Sequence, residues 1–303
     1  MPIFIGWTIG IVAGFAQATL ALVALSISLP GIILAILSGF GIPVAMLPLF
    51  VPILLLSVAY IAGYALATLS LAGALPTTAF PLAAPFPTAA PVALPPRVGE
   101  LFARGFMIGM TAAINASLLA LVPLVGTTLA AWVFTIGSLA IFPPISRNVV
   151  YQGFLGWSAW LFPMSYFATA IGLVLFLINA PIAFAAGGAG AFRIDFTTGT
   201  IETAGGLSGV TGFVGGFSLG NFNFVTGPGL QGVFTASNVS SHEVGHSLNT
   251  AVFGGLVLWI NAIDENVPPL RKLNLAYGEL TAESRSQAMT PPLRNDFFVR
   301  IWA

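Results

Sequence analysis

The sequence predicts a polytopic α-helical membrane protein that ends in a smaller α+β region, and three observations predict it. Residues 1–96 contain no Asp, Glu, Lys or Arg, and two more charge-free runs follow at 105–146 and 148–192. The chain is 57% hydrophobic and 6% charged, against about a quarter charged in ordinary globular domains. From residue 191 the character changes, and residues 239–303 hold eleven of the eighteen charged side chains. A helix crosses a bilayer with about 20 apolar residues, and each charge-free run exceeds that. The predicted division is a transmembrane region at 1–186, with about five spans, and a second region at 187–303.

Taken in order, Ile3–Leu29 is the first span. No basic stretch precedes its apolar run, which points to a retained helix and not a cleaved signal peptide. Gly31–Leu75 is interrupted by Pro43, Pro48 and Pro52 and reads either as a span plus a re-entrant piece or as a tight hairpin. Pro76–Pro96 carries seven prolines and no charge, a density that blocks regular helix and favours extended loop. Arg97, Glu100 and Arg104 mark a polar boundary. Gly105–Ile145 then makes a hairpin of two spans that turns at Pro123–Thr128, with Arg147 closing it. Phe154–Ala180 is the last clear span.

A hairpin at 105–145 places Arg104 and Arg147 on one side, which the positive-inside rule makes cytoplasmic. One further span puts the C-terminal region outside, whereas two short spans within 148–192 return it to the cytoplasm. The side is therefore open, and the lipid bilayer is the one partner that composition identifies. The chain has no cysteine, which excludes a disulfide framework and a thiolate metal site. Its net charge of zero removes the electrostatic case for nucleic acid.

After residue 191, Phe192–Phe196 and Thr200–Thr203 flank a turn and predict a hairpin, and Phe213–Leu219 and Asn221–Val225 predict two more short strands. Next comes His242-Glu243-Val244-Gly245-His246, which contains the only two histidines of the chain. On a helix, positions i and i+4 lie one above the other, so H-E-x-x-H aims two imidazoles at one point and sets a carboxylate beside them. Val244, Leu248, Ala251 and Val252 form an apolar back face, with His242, His246, Asn249 and Phe253 opposite. Gly254-Gly255 ends or bends the helix. Ser240 also fits a capping box with Glu243, a role that competes with chemistry for the same carboxylate.

Two histidines leave zinc short of a ligand, and with no cysteine or third histidine the missing one is a carboxylate. Glu265 and Asp264 precede Asn266-Val267-Pro268-Pro269, which prevents a helix there. Glu279 fits better, because Leu273, Ala276, Tyr277 and Leu280 share a helical face and Glu279 and Glu283 stand one turn apart beside it. Glu283 is then placed to orient a ligand histidine, or to serve as the ligand itself.

His242–His246 followed by Glu279-Leu-Thr-Ala-Glu283 resembles the motif pair of the gluzincin metallopeptidases, above all their membrane branch, over roughly residues 213–285. Glu283 stands where that clan usually has Asp. The resemblance implies a zincin-like region and a zinc-dependent endopeptidase, with Zn2+ held by His242, His246 and Glu279. Glu243 would take a proton from a metal-polarised water, and Tyr277 or Asn249 would steady the oxyanion. The substrate is a peptide or membrane protein laid as an extended strand against Asn221, Phe222, Asn223, Phe224 and Val225. Two other readings accompany this one. The first is a non-catalytic transporter or scaffold, which the scarcity of polar groups in the spans disfavours. The second is a pseudoenzyme whose zinc is structural.

Overall fold

The computed structural model describes residues 1–38, 98–146, 148–207, 215–226 and 238–256, with positions 52, 54, 55 and 58 besides. Among these residues the fold is mostly helical, with one small mixed sheet. Helix α1 (Pro2–Ser38) runs through Pro30 and lies against α2 (Val98–Leu119) along a seam of glycines. A methyl group added at Gly6 or Gly10 would run into the carbonyl oxygen of Phe102 or Phe106, and one at Gly14 would sit 2.5 Å from that of Met110. From the other side, methyls at Gly105 and Gly109 would strike the carbonyls of Ile3 and Trp7. Steps of four residues keep each glycine row on one face, and only glycine lets two backbones approach this closely.

The expected hairpin follows. Helix α2 turns through residues 120–125 into α3 (Gly126–Leu139), and Trp7 Nε1 donates to Ser138 Oγ at 3.2 Å, tying α1 to α3. Arg104, expected at a polar boundary, is instead buried. A one-turn helix α4 (Pro143–Ser146) leads to α5 (Val149–Ser158), whose first turn is capped by Asn148, with Oδ1 accepting from Val150 N at 2.8 Å.

The predicted span Phe154–Ala180 does not form as one helix. Phe162 takes an extended conformation at ψ 104, as a residue before proline does, and Pro163 restarts the chain. The long apolar helix is α6 (Tyr166–Gly187), with Pro181 inside it. Two segments of the described chain, Pro2–Pro30 and Pro163–Ala191, are long and apolar enough to cross a membrane by length and composition. Helix α3, at 14 residues, is shorter than these. Most of Gly31–Leu75 and all of Pro76–Pro96 lie outside the described residues.

The expected hairpin and the two further short strands are present. Strands β1 (Phe192–Asp195), β2 (Thr200–Ala204), β3 (Gly215–Leu219) and β4 (Phe222–Thr226) form a sheet of order β1-β2-β4-β3. The pair β2/β4 is parallel, and β1/β2 and β3/β4 are antiparallel. Alternation gives the sheet two unlike faces. Ile201, Phe217, Leu219, Phe222 and Phe224 pack as an apolar layer against Trp160, Ile171 and Phe176, the last two on α6. Asn179, also on α6, is buried, donating to Thr203 Oγ1 and accepting from Leu207 N at 2.7 Å. The registers place Arg193, Glu202, Asn223, Ser218 and Gly216 on the other face, and it is covered by α7 (Asn238–Phe253).

Helix α7 is seated on three supports. Of the predicted apolar face, Leu248, Ala251 and Val252 are buried in one core with Met110, Ile114, Ile136, Leu155 and Phe162, and Val244 is buried as well. Phe253 joins that core as well, contrary to its expected place opposite. At the C-terminal end, the Phe253 carbonyl, in the turn whose carbonyls a helix leaves unpaired, accepts from Thr111 Oγ1 at 3.0 Å, and Ser165 Oγ donates to Thr250 O at 3.1 Å. Gly254, at φ 84 and donating to Thr250 O, interrupts the helix after Phe253, and residues 255–256 are helical again.

Candidate metal centre

The 3.6-residue period divides α7 into sides with different surroundings. Ser240, Glu243 and Ser247 face the sheet, and the apolar residues face the core. His246 and Asn249 lie on the remaining side and are half-buried. His242 occupies the position one turn before His246. The backbone of α7 thus sets the two histidine positions one turn apart, as the H-E-x-x-H spacing predicts.

The sheet-facing side is built around Glu202, a fully buried carboxylate on β2. Arg193 Nε donates to its Oε2 at 2.7 Å, and Arg193 forms an ion pair with it. The Ser240 hydroxyl lies 3.0 and 2.9 Å from its two oxygens. Asn223 Nδ2 reaches Oε1 at 3.4 Å. A further Arg193 nitrogen donates to Ser240 Oγ. Ser247 Oγ continues the network, donating to Asn223 Oδ1 at 2.8 Å and lying 3.3 Å from the backbone oxygen of Glu243. Burial holds the Glu202 carboxyl above its ordinary pKa, and the Arg193 charge with the hydrogen bonds from Ser240, Arg193 and Asn223 offsets part of that rise.

This network corrects the capping-box expectation. Ser240 is inside α7, which begins at Asn238, and its hydroxyl is engaged with Glu202. The Glu243 side chain is buried and lies over Gly216 of β3, where a built Cβ would stand 2.5 Å from Oε1. The Glu243 side chain thus packs against β3 at Gly216.

The substrate-strand expectation is also corrected. Strand β4, which contains Phe222, Asn223, Phe224 and Val225, is paired with β2 on one side and β3 on the other, so its backbone offers no edge to an added strand. Phe222 and Phe224 are buried toward α6, and Asn221 Nδ2 donates to Gly156 O at 3.3 Å. Among the described residues the outer strand beside Glu243 is β3. Arg193, Glu202 and Gly216 are additions that the motif does not reveal. A hairpin register pairing Arg193 with Glu202 was the available signal for the first two.

Asp264, Glu265, Tyr277, Glu279 and Glu283 lie outside the described residues. Among the described residues no group of three or more His, Cys, Asp or Glu side chains is close enough to hold a metal ion. In kind, two histidines one turn apart in sequence with a carboxylate between them are donors that zinc takes. The chain matches no protein-family model, no curated protein and no solved structure.

Proposed function

We propose that the chain is a zinc-dependent endopeptidase embedded in a membrane, acting on peptide segments presented at or within the bilayer. The observation that carries this reading is the placement of Glu243: one residue after the first histidine, and buried over Gly216 of β3. His242 and His246 would hold the metal with a carboxylate from the C-terminal segment, Glu279 first and Glu283, Glu265 or Asp264 after it. When bound, zinc supplies Lewis acidity for hydrolysis. Glu243 accepts the proton of the attacking water and returns it to the departing amine. Strand β3 takes the place first given to β4, aligning an extended substrate beside Glu243.

Multi-pass insertion belongs to the same proposal. Helix α6 meets the sheet at Gly172 (Leu219), Phe176 (Phe222) and Asn179 (Thr203), a stretch of roughly 10 Å along its axis at 1.5 Å per residue. Its other side exposes Phe167, Val174, Leu177 and Ile178. If α6 spans the bilayer, the sheet lies beside it at membrane depth, with its faces covered by α6 and α7. Non-helical backbone is tolerated at that depth where protein buries it. Cleavage within the membrane plane follows.

Metal content of detergent-purified protein tests the reading. About one zinc per chain is expected in the wild type, and none in His246→Ala or Glu279→Ala. Zinc lost only with His246→Ala moves the third ligand to another carboxylate. A wild type that binds no zinc after reconstitution ends the proposal and favours a non-catalytic membrane protein.

A further inference from the structure

Resting on the peptidase reading, we propose that Gly216 of β3 is a positioning residue for Glu243: its missing side chain provides the slot that the carboxylate occupies. A methyl group built at Gly216 would lie 2.5 Å from Glu243 Oε1, 2.7 Å from Cγ and 2.9 Å from Cδ. These three nearest atoms all belong to one side chain, and none is backbone. The backbone of Gly216 is not left-handed, so its conformation does not demand glycine. Glycine weakens a strand interior and marks places where something approaches closely, and here the approaching group is the proposed proton acceptor. Pairing with Val225 on β4 fixes the strand beneath it. Ser218, two residues on and on the same face, keeps a buried hydroxyl with no hydrogen-bond partner among the described residues, so the slot is polar as well as narrow.

An alanine at this position has an easy way to be accommodated, because the flexible end of Glu243 swings aside and the fold stays as it is. The damage therefore falls on turnover and spares stability. A misplacement of about 1 Å at a reacting group lowers turnover by on the order of 100-fold.

The test uses full-length protein in detergent, with zinc for turnover, cobalt for spectroscopy and fluorescein-labelled casein as the probe substrate. Gly216→Ala is expected to keep its zinc and thermal midpoint, to hold KM within about twofold, and to lose about 100-fold in kcat. The visible spectrum of the cobalt form should shift even without turnover, because the carboxylate beside the metal's non-protein ligand has moved. In a Glu243→Asp background the shorter side chain leaves the slot, so Gly216→Ala should bring no further loss. A Gly216→Ala protein with wild-type kcat and an unchanged cobalt spectrum would overturn the assignment while leaving the peptidase reading intact. So would a loss accompanied by lower zinc content or stability, or one fully additive with Glu243→Asp. A wild type that binds no metal overturns both.

Discussion

Two seams hold this molecule together, and they use opposite chemistry. Between α1 and α2 the contact is made by backbone: glycines at steps of four bring one helix onto the carbonyls of the other. Between the sheet and α7 the contact is made by polar side chains, with Glu202 at the centre and Arg193, Ser240, Asn223 and Ser247 around it. The first seam has no adjustable part, because a displaced backbone displaces the helix. The second is made of side chains that fix a helix in place by direction as well as distance. The seam built from hydrogen bonds is the one that carries the histidine motif, and the seam built from close packing is the one in the apolar N-terminal region.

The largest effect separating the two is expected at Gly10. Gly10→Leu forces α1 and α2 apart at the Phe106 carbonyl, an overpacking that costs about 3 kcal/mol or more. Size-exclusion chromatography should show aggregated protein in place of a single species. Gly216→Ala, the milder change on the other seam, should leave the elution profile as it is.

Next comes Glu202→Ala, which strands the Arg193 guanidinium, the Ser240 hydroxyl and the Asn223 amide. Breaking such a pair while keeping its partners costs about 3 kcal/mol, toward the lower end of the range because Arg193 is partly exposed. Thermal unfolding should drop accordingly, and a drop under about 1 kcal/mol would reduce the network to a surface-like contact. A smaller loss, about 1 kcal/mol, is expected for Thr111→Val, which removes one donor from the end of α7. Hydrogen exchange at the last turn of α7 should rise before global unfolding does.

The smallest effect is one of pH. Because burial raises the Glu202 carboxyl above its ordinary value of 4.5, the folded protein keeps that proton where the unfolded chain has lost it. Stability contributed by this group is then present below 4.5 and declines as pH rises toward the raised value. Thermal midpoints across that window should fall with pH in the wild type and flatten in Glu202→Gln. A slope unchanged by the substitution would assign the titration to another group.

Local patterns in the sequence carried most of α7. Its apolar face, its interruption at Gly254 and the strands before it all follow from periodicity and turn residues, which depend on neighbours a few positions away. The break at Phe162–Pro163 was legible in principle, since proline restricts the residue before it, yet hydropathy alone runs straight through it. The two seams were not legible. Gly6, Gly10 and Gly14 have the right spacing, but their meaning depends on Gly105 and Gly109, some hundred residues away. Glu202 reads as an ordinary strand residue until the sheet face and α7 close over it. Ser240 resembles a cap because a local rule is satisfied, while a tertiary partner takes its hydroxyl. Assigning β4 to the edge failed for a related reason: strand order is set by pairing, and a parallel β2/β4 contact leaves no trace in the hairpin pattern.

The most direct test of the account is zinc content and casein cleavage measured together on Glu243→Gln. The account predicts about one zinc per chain, as in the wild type, with cleavage reduced by at least about 100-fold. Wild-type cleavage by Glu243→Gln, or loss of the metal with the substitution, would contradict it.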